Sequence, residues 1–283
     1  MTREEPEPLR AEDISVRFGG LLALDDVTVR VQPRGIVGLI GPNGAGKTTL
    51  FNCVTGVLRP TKGRVFLFGD DATDWAVHRR ARLGVGRTFQ RLELFSSLSV
   101  LENLIAGYEG ASARGGLVSD LLALPPTVEQ RADATDRAQY VMEVLGLDRF
   151  RDTPAGDLPI GLSRLVELGR AVCGDPRIML LDEPSSGLSV EESERLAALL
   201  RVARDEDGES ILLVEHDMPF VLGLADYVYV LDFGKQLAEG TPREIRQDPA
   251  VQAAYLGEEV DEGVQRQEFQ EAEVTEDATA RRS

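Results

Sequence analysis

The sequence predicts an α/β fold in which helices alternate with the strands of a largely parallel sheet. Three observations carry that reading. Short continuous apolar runs of strand length recur along the chain, a glycine-rich loop joins one of them to a helix, and apolar residues at helical spacing separate two later ones. Val27, Val29 and Val31 alternate with Thr28 and Arg30, the period-two pattern of a half-buried strand. The turn cluster Gln32-Pro33-Arg34-Gly35 follows, and then Ile36-Val37-Gly38-Leu39-Ile40, a run apolar enough to be buried on both faces. Val65-Phe66-Leu67-Phe68 reads as another strand, closed by Gly69-Asp70. Residues 178–181 and 211–214 are apolar runs that end in acids. Between them, residues 191–202 carry Leu196, Leu199 and Leu200 on one helical face.

Residues 91–157 follow another rhythm. Leu101, Leu104 and Ile105, and later Val141, Val144 and Leu145, have helical spacing, with Gly115-Gly116 and Pro125-Pro126 between them. A mostly helical segment inserted within the α/β domain is expected there. From Gly257 the composition turns acidic and poor in apolar residues, which predicts a solvated, disordered tail over 257–283.

Composition sets outer bounds. At 283 residues the chain can bury a substantial core, and 42% hydrophobic with 28% charged residues is ordinary for a soluble globular protein. A net charge of −17 argues against a sequence-independent grip on nucleic acid phosphates or anionic lipid headgroups. No apolar run approaches the roughly 18 residues of a membrane span, and the acids and prolines of the first ten residues do not suit a signal peptide. Cys53 and Cys173 have neither metal-ligand spacing nor a disulfide framework. A soluble intracellular protein is expected.

The chemistry is concentrated in Gly41-Pro42-Asn43-Gly44-Ala45-Gly46-Lys47-Thr48-Thr49, a full G-x-x-x-x-G-K-[ST] match set between a buried-type strand and a helix carrying Leu50, Val54, Val57 and Leu58. Glycines let successive backbone N–H groups converge on a polyphosphate, and the helix N-terminus adds its dipole. Lys47 can reach the β- and γ-phosphates, and the Thr48 hydroxyl can ligate Mg²⁺. These residues imply a nucleoside triphosphate site with Mg²⁺. Asp182 and Glu183 end the strand of residues 178–181. There Asp182 can hold the metal and Glu183 can polarise an attacking water. His216, after the strand of residues 211–214, can hydrogen-bond the γ-phosphate and the water, whereas His78 sits in an Arg-rich stretch with no partner motif.

Together these motifs resemble the ATP-binding subunit of ABC transporters, over residues 1–256. The resemblance implies a P-loop NTPase (ABC ATPase) fold: a mainly parallel core sheet, an antiparallel β subdomain and a helical subdomain at about 91–157. Gln90, in Gly86-Arg87-Thr88-Phe89-Gln90, matches the Q-loop, a metal and catalytic position; Asp182-Glu183-Pro184 matches the Walker B motif and its catalytic glutamate. Ser186-Gly187-Leu188-Ser189 falls at the D-loop, His216 at the switch histidine, and Phe18 where an aromatic ring stacks on adenine. Arg17-Phe18-Gly19-Gly20, Leu101-Glu102-Asn103-Leu104, Glu215-His216-Asp217-Met218, Gly240-Thr241-Pro242 and Ala254-Tyr255-Leu256-Gly257 are similar to the branched-chain (hydrophobic) amino acid uptake type. The signature segment, Leu158-Pro159-Ile160-Gly161-Leu162, departs from the general L-S-G-G-Q pattern, and Ser189 replaces the usual D-loop acid or amide.

What the resemblance implies is an ATPase that works as a dimer with a second ABC ATPase subunit, identical or not. The signature of each chain would serve its partner's ATP, and the composite site using this signature is expected to turn over more slowly. Separate integral-membrane permease subunits and, indirectly, a solute-binding protein would complete an importer, with the chain peripheral on the cytoplasmic face of the plasma membrane. An ATPase of lipid or lipopolysaccharide transport, or a soluble non-transport ABC ATPase, are the alternatives. Nucleic acid is not expected as a partner.

Overall fold

The computed structural model describes residues 5–88, 93–112 and 128–255. Phe89, Gln90, the middle of the helical segment and the residues from Leu256 onward lie outside the described residues. Two sheets organise the rest. The first is antiparallel, in the order β2-β1-β4-β5, from β1 (Leu9–Phe18), β2 (Leu21–Val31), β4 (Lys62–Leu67) and β5 (Asp70–Asp71). The second has six strands in the order β10-β9-β3-β8-β7-β6, namely β3 (Ile36–Ile40), β6 (Val85–Arg87), β7 (Ile178–Asp182), β8 (Ser210–Val214), β9 (Tyr227–Asp232) and β10 (Lys235–Gly240). All its pairings are parallel except β9 with β10.

Every residue of β3, β7 and β8 is buried, which explains their continuous apolar sequences. The pleat divides those residues between two cores. Ile36, Ile40, Met179, Leu181, Ile211 and Leu213 face helices Val100–Ser112, Val128–Val144, Ile160–Cys173 and Val190–Asp205. Val37, Leu39, Leu180 and Leu212 face helix Lys47–Thr55, through Leu50, Phe51 and Val54, and the antiparallel sheet. Strand β1 carries no clean alternation in sequence. Its buried Leu9, Ala11, Ile14 and Val16 fall out of phase across Glu12-Asp13, where the register shifts and Asp13 takes a left-handed φ of 53°.

The two helices within 91–157 lie close against helix Ile160–Cys173. Gly107 lets the first of them approach closely, since a Cβ there would sit 2.2 Å from the Arg170 carbonyl oxygen. Among the described residues no helix is long and apolar enough to cross a membrane.

Candidate nucleotide site

β3 runs directly into the glycine-rich loop. Gly41, Gly44 and Gly46 all have positive φ (148°, 79° and 101°), and a Cβ on Gly41 would lie 2.1 Å from the Leu231 carbonyl oxygen. The loop delivers the chain into helix Lys47–Thr55, whose first N–H groups open toward the same side. Lys47 is buried, its Nζ donating to the carbonyls of Gly41 (2.5 Å) and Pro42 (3.0 Å). Thr48 is exposed and Thr49 half-buried. A cavity of about 400 Å³ lies over this loop, bounded by Asn43 to Thr49, Glu183, Phe18 and Leu21. Phe18, 50% exposed, stands on its rim, and so does Phe233, 86% exposed, which the sequence did not single out.

The order β3-β8-β7 places three strand ends side by side on the carboxyl edge of the sheet, the usual ligand edge of open α/β sheets. Asp182 ends β7 and is buried opposite Val214. Close by, burial pulls the Arg87 guanidinium below its usual range, and the Asp182 carboxylate works against that shift. Glu183 leaves the strand at a left-handed φ of 49°, a conformation that costs a non-glycine residue about 1 kcal/mol or more. Its N–H donates to the Val214 carbonyl at 2.8 Å and its carbonyl accepts from Ser186 N–H at 3.2 Å, so the turn that aims Glu183 into the cavity is held on both sides. Arg164, from helix Ile160–Cys173, also donates to the Glu183 carbonyl (3.5 Å) and to that of Ser186. His216 is exposed at the end of β8. It shares the edge with Glu183 but does not border the cavity over the loop.

The signature segment divides by exposure. Leu158 packs on the core, Pro159 caps helix Ile160–Cys173 and Ile160 is 73% exposed. Gly161 and Leu162 are buried, Leu162 within the helical core, so the side chain that replaces a polar residue points inward. In the D-loop segment Ser186 and Gly187 are exposed and Leu188 rests on the core. Ser189 is the N-cap of helix Val190–Asp205: its Oγ accepts from Glu192 N–H, and Glu192 returns a carboxylate to Ser189 N–H at 2.8 Å. That carboxylate lies over Gly161, where a Cβ would come within 2.4 Å of Oε1.

Three partners of the site were given no role by the sequence. Ser185, Arg164 and Glu215 act through contacts between distant segments; Ser185 and Glu215 stood beside residues already singled out, but nothing local marked their pairing. Away from this edge, a groove of about 450 Å³ runs between the core and the helical layer, past Arg87, Phe95, Gly107 and Glu167, and shares no bordering residue with the nucleotide cavity.

Comparisons with known proteins identify the family. Residues 24–186 match the family model described as ABC transporter, and residues 235–261 match one described as branched-chain amino acid ATP-binding cassette transporter. The chain is 42% identical to the high-affinity branched-chain amino acid transport ATP-binding protein LivG of Escherichia coli K12, over 88% of this chain and 98% of that one. BraF of Pseudomonas aeruginosa, of the same description, is 39% identical over 88% and 98%. The lipopolysaccharide export system ATP-binding protein LptB of Acidithiobacillus ferridurans is 36% identical over 89% and 98%. Among solved structures, the ADP conformation of MJ1267, an ATP-binding cassette of an ABC transporter, superposes with a TM-score of 0.73 at 32% identity, over 89% of this chain and 99% of that one. The chain belongs to the ABC transporter family, as an ATP-binding cassette.

Proposed function

We propose that this chain powers the uptake of branched-chain or other hydrophobic amino acids, or related amides, as one ATP-hydrolysing subunit of a membrane importer. The observation that carries the solute class is the likeness to LivG and BraF over almost the whole of their length, together with the branched-chain match at residues 235–261. A lipopolysaccharide-type exporter is the second reading, favoured by the 36% identity to LptB. The match at 235–261 speaks for the importer.

The chemistry is hydrolysis of ATP to ADP and phosphate. N–H groups of the loop 41–49 and the N-terminus of helix Lys47–Thr55 hold the phosphates, Lys47 leaves its carbonyl partners for the β- and γ-phosphates, and Phe18 stacks on the base. The donor set fits Mg²⁺: Thr48 and Asp182 offer hard oxygens, and among the described residues no group of three His, Cys, Asp or Glu side chains forms a cage, so phosphate and water oxygens would complete the shell. Gln90 joins this set. When bound, the ion offsets charge on the phosphates. Glu183 accepts a proton from the attacking water, and His216 orients that water and the γ-phosphate.

Two cassettes meet head to tail, each using its partner's residues 158–162 and 186–189 against its own ATP. Residues 1–256 form the cassette and 257–283 an acidic tail outside it. The helical segment 91–157, joined to the core through Gln90, passes dimer closure to permease subunits at the cytoplasmic face, docked along the groove between Arg87, Phe95 and Gly107. A solute-binding protein feeds those permeases.

Tagged Glu183→Gln protein isolated with Mg-ATP from detergent-solubilised host membranes tests this reading. Co-isolation of multi-span permeases with a second ATPase and an amino acid-binding protein is expected. Recovery with lipopolysaccharide-export components, or from the soluble fraction alone, would contradict it.

A further inference from the structure

One fully buried carboxylate joins two of the loops on which the chemistry depends. Glu215 directly follows β8 and is 0% exposed. Its Oε1 accepts two hydrogen bonds from Ser185, from the N–H at 2.8 Å and from Oγ at 2.6 Å. Its Oε2 accepts from the N–H of His216 at 3.3 Å and lies 3.8 Å from Nδ1 of that ring. Its own N–H donates to the Leu39 carbonyl at 3.2 Å, one residue before β3 ends and the glycine-rich loop begins. Ser185, itself buried, stands between the Glu183-Pro184 turn and Ser186.

Placing a carboxylate where an apolar side chain would fill the space is costly. Burial pushes the Glu215 carboxyl above its ordinary range, and the hydrogen bonds from Ser185 pull it back. The arrangement makes use of both oxygens. A carboxylate accepts at each, so one oxygen can hold the Ser185 segment while the other holds the His216 backbone. An amide in the same place would turn an NH₂ donor toward either the Ser185 or the His216 N–H, and could satisfy only one of them.

We propose that Glu215 is a positioning residue for ATP hydrolysis: its carboxylate fixes the turn that carries Glu183 relative to His216, so that base and water-orienting side chain keep one geometry. This rests on the roles given to Glu183 and His216 above. Glu215 is fully buried and does not border the cavity over the loop; it acts through Ser185 and His216. Its contribution therefore belongs to kcat and not to ATP affinity, which resides in the loop 41–49 on the neighbouring strand.

The test uses the full-length chain with Mg-ATP, measuring phosphate release for turnover and fluorescent-ATP titration for affinity. Glu215→Gln is expected to lower kcat by about tenfold or more, with ATP affinity within about threefold of wild type. Ser185→Ala, which removes only the hydroxyl contact, should lower kcat by a smaller factor. The double variant Glu215→Gln/Ser185→Ala should be no slower than Glu215→Gln alone, because both break the same link. Turnover within twofold of wild type in Glu215→Gln, multiplied effects in the double variant, or affinity falling in step with kcat would each overturn the proposal. Should Glu215→Gln fail to fold, shown by loss of the wild-type circular dichroism spectrum, the kcat of Ser185→Ala decides: unchanged turnover at normal affinity overturns the link. Glu183→Gln and His216→Ala separate the two levels of inference. If both lose turnover while Glu215→Gln keeps it, only the positioning role fails; if they keep turnover, the site assignment itself is wrong.

Discussion

Glu209 gives the chain a pH-dependent stability that can be worked out from its surroundings. It sits at the turn into β8, 1% exposed, with neither carboxyl oxygen hydrogen-bonded. Burial, with repulsion from Asp207 and Asp175, pushes its carboxyl from the ordinary 4.5 up to about 9, although Arg137 opposes the shift from its ion pair with Asp207. A folded-state pKa above the unfolded value means that between about pH 4.5 and 9 the folded chain holds one proton more than the unfolded chain. Stability then falls as pH rises, by roughly 3 kcal/mol from pH 6 to pH 8. Against a typical total of about 5–15 kcal/mol that loss is large. Glu209→Gln is similar in size and cannot ionise, so it should remove this slope. Urea unfolding of both proteins at pH 6, 7 and 8, followed by circular dichroism without nucleotide, measures the difference. The advantage of Glu209→Gln over wild type should grow by roughly 3 kcal/mol across that range. A constant difference would show that the carboxyl ionises as freely in the folded chain as in the unfolded one.

Three further outcomes follow from the site. Gly161→Ala brings its Cβ within 2.4 Å of the Glu192 carboxylate, the movable end of a flexible side chain, so it should displace that carboxylate from the Ser189 N–H, leave the Ser189 hydroxyl cap in place and change stability by less than about 1 kcal/mol, read by urea unfolding. Phe18 and Phe233 both border the cavity over the loop, so Phe18→Ala and Phe233→Ala should each weaken ATP binding by about fivefold, or about 1 kcal/mol, with kcat nearly unchanged. Leu162→Gln places an amide in the helical core and should cost about 1–3 kcal/mol in unfolding, whereas Pro159→Ser, on the exposed side, should keep stability and raise turnover per dimer.

The parts of the molecule set by local pattern were legible before any coordinates. β3, β7 and β8 are short apolar runs buried on both faces, and the loop 41–49 is a full G-x-x-x-x-G-K-[ST] match. β1 escaped notice because its bulge at Glu12-Asp13 breaks the alternation that would have revealed it. β6 is three residues long, too short for any period to register. Glu215 shows the other limit. In sequence it is one of three polar residues after a strand, and nothing distinguishes a solvated acid from one that is 0% exposed and clasped by Ser185 thirty residues earlier. Leu162 likewise read as a lost polar contact, because a helix's inward face at its first turn is fixed by what packs there, here the helical core. Ser189 read as a replaced D-loop acid, yet its hydroxyl caps a helix, a role set by Glu192 three residues on.

The measurement that bears most directly on the account is a side-by-side determination of ATP affinity and phosphate release for wild type and Glu183→Gln. Glu183 occupies a left-handed turn that aims it into the cavity over the glycine-rich loop, and the amide keeps its size while losing its basicity. ATP affinity within about threefold of wild type, with turnover reduced about a hundredfold or more, is the predicted result. Near-normal turnover at normal affinity would contradict it, because hydrolysis would then need a base other than the one these strands position.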